Sequence, residues 1–232
     1  MAINKARLRI DASILEKMTR MRAYIIKIEI THSEPLIWRR VILPAGATFN
    51  RLHHVIQNIT NFQSGDSYEA YHLYEFDLPE ENIRVTNDEE ARLNNLSIVV
   101  KNPKGLKIDV YLEKYGVIKY TYDFGDNWEL NIKLEEIVDD YYFGYPTLLD
   151  GAQTAPPEDI GGFPRYYEFL EIYRDDKHPN HEEVKAWSKE QGFREYDPDH
   201  INGMLKFIQY KKTEWDKINH QNYRIIDDKY RK

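Results

Sequence analysis

Two alternating runs, Tyr120-Thr121-Tyr122 and Glu129-Leu130-Asn131-Ile132-Lys133-Leu134-Glu135, are separated only by Asp123-Phe124-Gly125-Asp126-Asn127-Trp128. Period-two alternation places successive side chains on opposite faces of a strand, and a short glycine-containing connection forces the second run back along the first. The spacing predicts a β-hairpin over 117–137 with two aspartates at its tip. Downstream, Pro156-Pro157-Glu158-Asp159-Ile160-Gly161-Gly162 reads as a second acidic loop, stiffened by proline at one end and released by glycine at the other.

The remaining pattern surrounds that hairpin. Ile10, Ile14 and Met18, after a capping-box Ser13-Ile14-Leu15-Glu16, predict a short amphipathic helix in an N-terminal extension, residues 1–21. Strands are expected over 22–30 and 35–44, the latter with proline at both limits, and then over 71–76 and 83–85. Thr48 is placed to cap a helix near 49–60, whose apolar face is Phe49, Leu52, Val55, Ile56 and Ile59. Residues 96–100 suit either a strand or a buried helical turn, and a short helix is expected over 108–114. From Pro146 to Pro164 the chain reads as a loop. Three helices follow: Tyr166, Phe169, Leu170 and Tyr173 share the first face, and Asn180 with Glu183 caps the second, through Val184 and Trp187 to Gly192. Asp197-Pro198 opens the third, with Ile201, Met204, Leu205 and Ile208 on one face and Trp215 and Ile218 extending it. Strands in the first two-thirds and helices in the last third predict an α+β fold. The expected sheet is largely antiparallel or mixed, with one early helix and the other helices clustered in the C-terminal third. The core domain is 22–210, and 211–232 forms a helix end and basic tail.

Charge narrows the function classes. The net charge is −7, yet residues 1–22 carry +4 and residues 211–232 carry +3, which leaves −14 on the body. An acidic body repels phosphate backbones, so nucleic-acid association is expected only through the basic termini. No apolar run approaches the ~20 residues that span a bilayer, and the N-terminus has no apolar signal core. The chain has no cysteine, which removes disulfides and thiolate chemistry and fits a cytoplasmic protein with no membrane contact.

Asp123 and Asp126 are the first candidates for chemistry, because two carboxylates on one turn offer hard oxygen ligands to magnesium or manganese. Glu158 and Asp159 complete such a site if the second loop folds over the hairpin. The same residues also suit plain turn chemistry, since aspartate in a tight turn bonds its own backbone. His178 and His181 have zinc-like spacing but lack further ligands nearby, and helix capping accounts for the segment. His53-His54 lies on or beside the apolar face of the first core helix, where a packed histidine is expected. Asp123-Phe124-Gly125 matches the magnesium-binding tripeptide of protein kinases, but there is no glycine-rich phosphate loop and no catalytic loop to accompany it. Gly161-Gly162 lacks the lysine and serine of a phosphate-binding loop.

The hairpin Tyr-Asp-Phe-Gly-Asp-Asn-Trp, the loop Pro-Pro-Glu-Asp-Ile-Gly-Gly, the segment His-Glu-Glu-Val-Lys-Ala-Trp and the early Pro-Leu-Ile-Trp-Arg-Arg-Val occur here in one order. With these motifs the chain, from about Arg22 to Leu205, resembles the Ri-plasmid ORF-three-like proteins of plasmids, transposons and prokaryotic chromosomes. The resemblance implies an α+β domain of undetermined activity, some of whose members carry a transposon-resolvase label. Serine-recombinase chemistry has no support in this chain: Ser13 and Ser33 lie in no arginine-rich setting, and the body is acidic. The resemblance also implies cysteines around 145–151 and at the position of Ile160, and histidine in place of Leu130. Any metal or redox site built from those residues is absent here.

The sequence therefore points to a binding or accessory protein. Its recognition surface for a protein or small ligand lies between the two acidic loops: Asp123, Asp126, Trp128, Glu158 and Asp159. The alternatives are a metal-dependent hydrolase, with Asp123, Asp126, Glu158 and Asp159 around magnesium or manganese, and a nucleic-acid-associated protein acting through its termini.

Overall fold

The computed structural model describes residues 21–62, 72–94, 97–210 and 230–231. Eight strands form one sheet: β1 Met21–Ile30, β2 Ile37–Pro44, β3 Tyr74–Leu78, β4 Ile83–Thr86, β5 Val99–Lys101, β6 Val117–Tyr122, β7 Trp128–Tyr141 and β8 Thr147–Ala152. Their order is β5-β4-β3-β6-β7-β1-β2-β8. Every pairing is antiparallel except β4 with β5. The helices are α1 Phe49–Ile59, α2 Glu89–Asn94, α3 Asp109–Tyr115, α4 Phe163–Arg174, α5 His181–Glu190 and α6 Pro198–Leu205. This is the α+β arrangement read from the sequence, with a mixed sheet first and three helices late.

Alternation along β1 decides where the core sits. Tyr24, Ile26, Ile28 and Ile30 enter the large core with α1, α4 and α6, while Ala23 and Ile25 enter a smaller aromatic cluster with Tyr141, Phe143 and Tyr230 on the other face. Beyond that cluster Glu29 lies between Lys27 and Lys133, and Lys27 covers Trp38. Thr48 caps α1 by accepting from the Arg51 amide at 3.3 Å. Such a cap contributes about 1 kcal/mol. Full burial of Phe49, Leu52, Val55, Ile56 and Ile59 contributes about 2 kcal/mol per side chain, so packing and not the cap fixes α1 on the sheet. Among the described residues no helix is long and apolar enough to cross a membrane.

Arg39 joins the sheet to the loops. Only 3% exposed, its guanidinium donates to the carbonyls of Ile59, Trp38, Ala152 and Gln153 at 2.8–2.9 Å. It also stacks 4.1 Å from the Tyr196 ring centre. Among the described residues no carboxylate lies within 4 Å of it. Burial lowers its pKa to about 10, so it remains charged at neutral pH, compensated by carbonyl dipoles and an aromatic face.

Several expectations need correction. The stretch read as loop after Pro146 begins with β8, an edge strand paired to β2 with a register shift at Arg40/Val41. Its first three residues are all buried, so it shows no alternation to read. The predicted third helix ends at Leu205 and passes into a 3-10 turn at Lys206–Ile208. Met204 faces outward, and Asn202 takes the inward position instead. Its side chain accepts from the Leu148 amide at 2.8 Å and donates to the Leu148 carbonyl at 3.2 Å, tying α6 to β8. Asn180 precedes α5 but makes no side-chain cap. The N-terminal helix, Trp215 and Ile218, and nearly all of both basic ends lie outside the described residues.

Arg39→Ala leaves four buried or half-buried carbonyls without this donor and is expected to cost about 3 kcal/mol, measured by urea unfolding. Arg39→Lys keeps the charge but loses the planar fork and is expected to recover less than half of that loss. Asn202→Ala is expected to cost about 2 kcal/mol by the same measurement, because it orphans both backbone groups of Leu148.

Candidate metal centre

The hairpin tip is a five-residue connection, not a tight two-residue turn. Asp123 and Asn127 both adopt the left-handed region at φ +53°, which aspartate and asparagine tolerate better than other non-glycine residues. The Asn127 amide donates to the Asp123 carbonyl at 2.6 Å, and the Gly125 amide to Asp123 Oδ1 at 2.9 Å. The Asp123 amide donates to the Leu73 carbonyl at 3.0 Å. That bond stitches the entry of β3 to the tip and carries His72 to the carboxylate of Asp123.

The second loop is fixed almost residue by residue. Arg39 holds the carbonyls of Ala152 and Gln153. Tyr166 Oη donates to the Thr154 carbonyl at 2.5 Å, and Asn61 Nδ2 to the Ala155 carbonyl at 2.7 Å. Tyr122 Oη donates to Glu158 Oε1 at 2.6 Å, and the Gly161 amide to Asp126 Oδ2 at 2.9 Å. Gly161 has φ +83°, and a Cβ there would meet Arg165 Cδ at 2.9 Å. The positive φ is what favours glycine here, since the Arg165 side chain could move aside.

These two scaffolds bring together His72, Asp123 and Glu158, whose donor atoms all lie within 4.8 Å of one another. His72 Nδ1 is 3.4 Å from Asp123 Oδ1, and His72 Nε2 is 3.4 Å from Glu158 Oε2 and 3.7 Å from Asp159 Oδ1. The side chains of His72, Asp123 and Glu158 are 14%, 11% and 9% exposed, whereas that of Asp159 is 53% exposed. Asp159 also lines an open groove of about 490 Å³ between α4 and α5, so solvent reaches this carboxylate at the edge of the cluster. Beneath lies an aromatic wall: Tyr122 meets the His72 ring edge-on at 5.6 Å and stacks on Phe62 at 4.7 Å, and Phe62 in turn meets Trp128.

Of the residues singled out from sequence, Asp123 and Glu158 meet in the cluster and Asp159 stands at its edge. Asp126 is directed to the Gly161 amide and fastens the two loops together. Trp128 is buried in the wall, edge-on to Phe163 at 5.0 Å, so it supports the site from below. His178 Nδ1 accepts from the Asn180 amide at 3.2 Å, and His181 Nδ1 lies 3.1 Å from the Ile172 carbonyl. Both engage local backbone at the α4–α5 connection. His53 is a packed histidine, stacked on Tyr74 at 3.7 Å and 2.8 Å from Tyr120 Oη. Burial pushes the Tyr120 phenol well up, so its hydroxyl keeps its proton inside the core. His72 is the residue that sequence reading missed. It lies at the entry of a strand, far along the chain from both carboxylates, and no local spacing marks it.

The family model described as Plasmid pRiA4b ORF-3-like protein matches residues 22–204. The chain is 32% identical over 185 residues to the uncharacterized protein y4hQ of Sinorhizobium fredii (strain NBRC 101917 / NGR234), covering 76% of this chain and 86% of that one. It is also similar to the crystal structure of the protein of unknown function MM3350 from Methanosarcina mazei Go1. That match has a TM-score of 0.59 and 31% identity, over 77% of this chain and 96% of the other. With the match spanning both loops of the cluster and His72, the chain belongs to the plasmid pRiA4b ORF-3-like family.

Proposed function

We propose that the cluster of His72, Asp123, Glu158 and Asp159 binds a divalent transition-metal ion, and that the chain acts as a metal-dependent binding or accessory protein. One observation carries this reading: three separate segments deliver an imidazole and two carboxylates to within 4.8 Å of one another in a largely buried position. Carboxylates gathered in a poorly solvated place repel one another, and a bound cation offsets that repulsion. Oxygen ligands alone favour magnesium or calcium. An imidazole nitrogen among them moves the preference toward manganese, iron, cobalt, nickel or zinc.

The surroundings suit recognition. Phe124 is 45% exposed and Leu73 39% exposed beside the polar centre, which gives a protein partner or small ligand an apolar foothold next to the ion. The hydrolase alternative asked for four carboxylates in one cleft, and Asp126 is instead engaged with the Gly161 amide.

The test is a thermal-shift series on chelator-treated protein with manganese, cobalt, zinc, magnesium and calcium. An ion that binds only the folded state at 100 times its Kd adds about 2.7 kcal/mol of stability. Transition ions are expected to raise Tm by several degrees, magnesium and calcium by little, and Glu158→Gln to cut the rise sharply at the same ion concentration with its circular dichroism unchanged. Unchanged Tm with every ion would overturn the proposal.

A further inference from the structure

Resting on that metal reading, the geometry points to a division of labour within the cluster. We infer that His72 Nε2, Glu158 Oε2 and Asp159 Oδ1 are the ligands, and that Asp123 is a positioning residue acting on the opposite nitrogen of the imidazole.

Two donors bound to one ion at about 2.0–2.2 Å stand about 3.0 Å apart at a right angle and about 3.4–3.7 Å apart at tetrahedral to trigonal angles. The observed separations are 3.4 Å from Nε2 to Glu158 and 3.7 Å from Nε2 to Asp159. An ion in that notch meets Nε2 and Glu158 Oε2 at a bonding separation, and the exposed Asp159 side chain rotates in to complete the set. Asp123 faces the other nitrogen, with Oδ1 at 3.4 Å from Nδ1. The two ring nitrogens of one imidazole direct their lone pairs away from each other, so one ion cannot use both. A carboxylate at Nδ1 favours the tautomer protonated there, which turns the Nε2 lone pair to the metal. An ion at Nδ1 would have Asp123 beside it but would lie away from the nitrogen that Glu158 and Asp159 face at 3.4 and 3.7 Å.

The supporting bonds fit the same division. Asp123 Oδ1 also accepts from the Gly125 amide, which fixes the carboxylate in the tip. Tyr122 takes Glu158 Oε1, so Oε2 is the oxygen presented to the imidazole. Asp159 is the exposed ligand on the groove side, which makes it the carboxylate an incoming ion meets first.

Cobalt(II) titration of the full chain, followed by visible absorption, separates ligand from positioning residue. Wild type is expected to develop a d–d band. Glu158→Gln and Asp159→Asn remove a ligand and are expected to shift the band and change its intensity. Asp123→Asn retains an acceptor oxygen and tolerates the left-handed backbone, so it should fold. It is expected to weaken the Kd about 10-fold, within the range for outer-shell partners, while leaving the band shape unchanged. Loss or reshaping of the band in Asp123→Asn, with Asp159→Asn indistinguishable from wild type, would overturn the division and make Asp123 a ligand. No band in wild type would overturn the metal reading itself, and this inference with it.

Discussion

A guanidinium compensated by carbonyls is the constraint on which the rest of the molecule hangs. Arg39 sits on β2, yet its bonds go to the end of α1, to the end of β8 and to the first residue of the loop that follows. Those carbonyls stand where helix and strand end, and a buried unsatisfied acceptor costs about 1–3 kcal/mol. One side chain answers all of them, and Tyr196 closes its other face. The loop carrying Glu158 therefore starts from a fixed point, and Tyr166, Asn61 and Tyr122 extend that fixity to the carboxylate itself.

Rigidity of this kind matters because the site holds like charges together. Asp123 and Asp159 both sit in left-handed backbone, at φ +53° and +54°, and strain of that sort persists only where the surroundings over-determine it. The tip hydrogen bonds do so for Asp123, while the fixed residues on either side do so for Asp159. A site that is preorganised before its ligand arrives spends little of the binding free energy on ordering its own side chains. His72 is drawn in by the backbone bond between Asp123 and Leu73, so the two scaffolds share one centre.

Two of the positions where the family resemblance implied cysteine or histidine are apolar packing here. Leu130 and Ile160 both lie within the large core cluster. Whatever those residues build in relatives, this chain fills the space with hydrocarbon and keeps its polar chemistry at His72 and the two acidic loops.

Local chemistry set what was legible from sequence. Period-two alternation in β1, β6 and β7, the face and Thr48 cap of α1, and the acidic tip and proline loop all depend on residues within a few positions of one another, so the sequence determined them. It also determined the α+β class and two of the clustered carboxylates. β8 was hidden because its early residues are buried on both sides and so do not alternate. The inward turn of Asn202 was hidden because its partner is the backbone of a distant strand. His72 and the diversion of Asp126 were decided by tertiary structure alone. A histidine becomes a candidate ligand only when loop closure brings distant carboxylates to it, and an aspartate leaves the cluster only when a neighbouring loop offers its amide. Propensity and spacing act along the chain, whereas coordination and hydrogen bonding act across it, and only the folded structure fixes distances of the second kind.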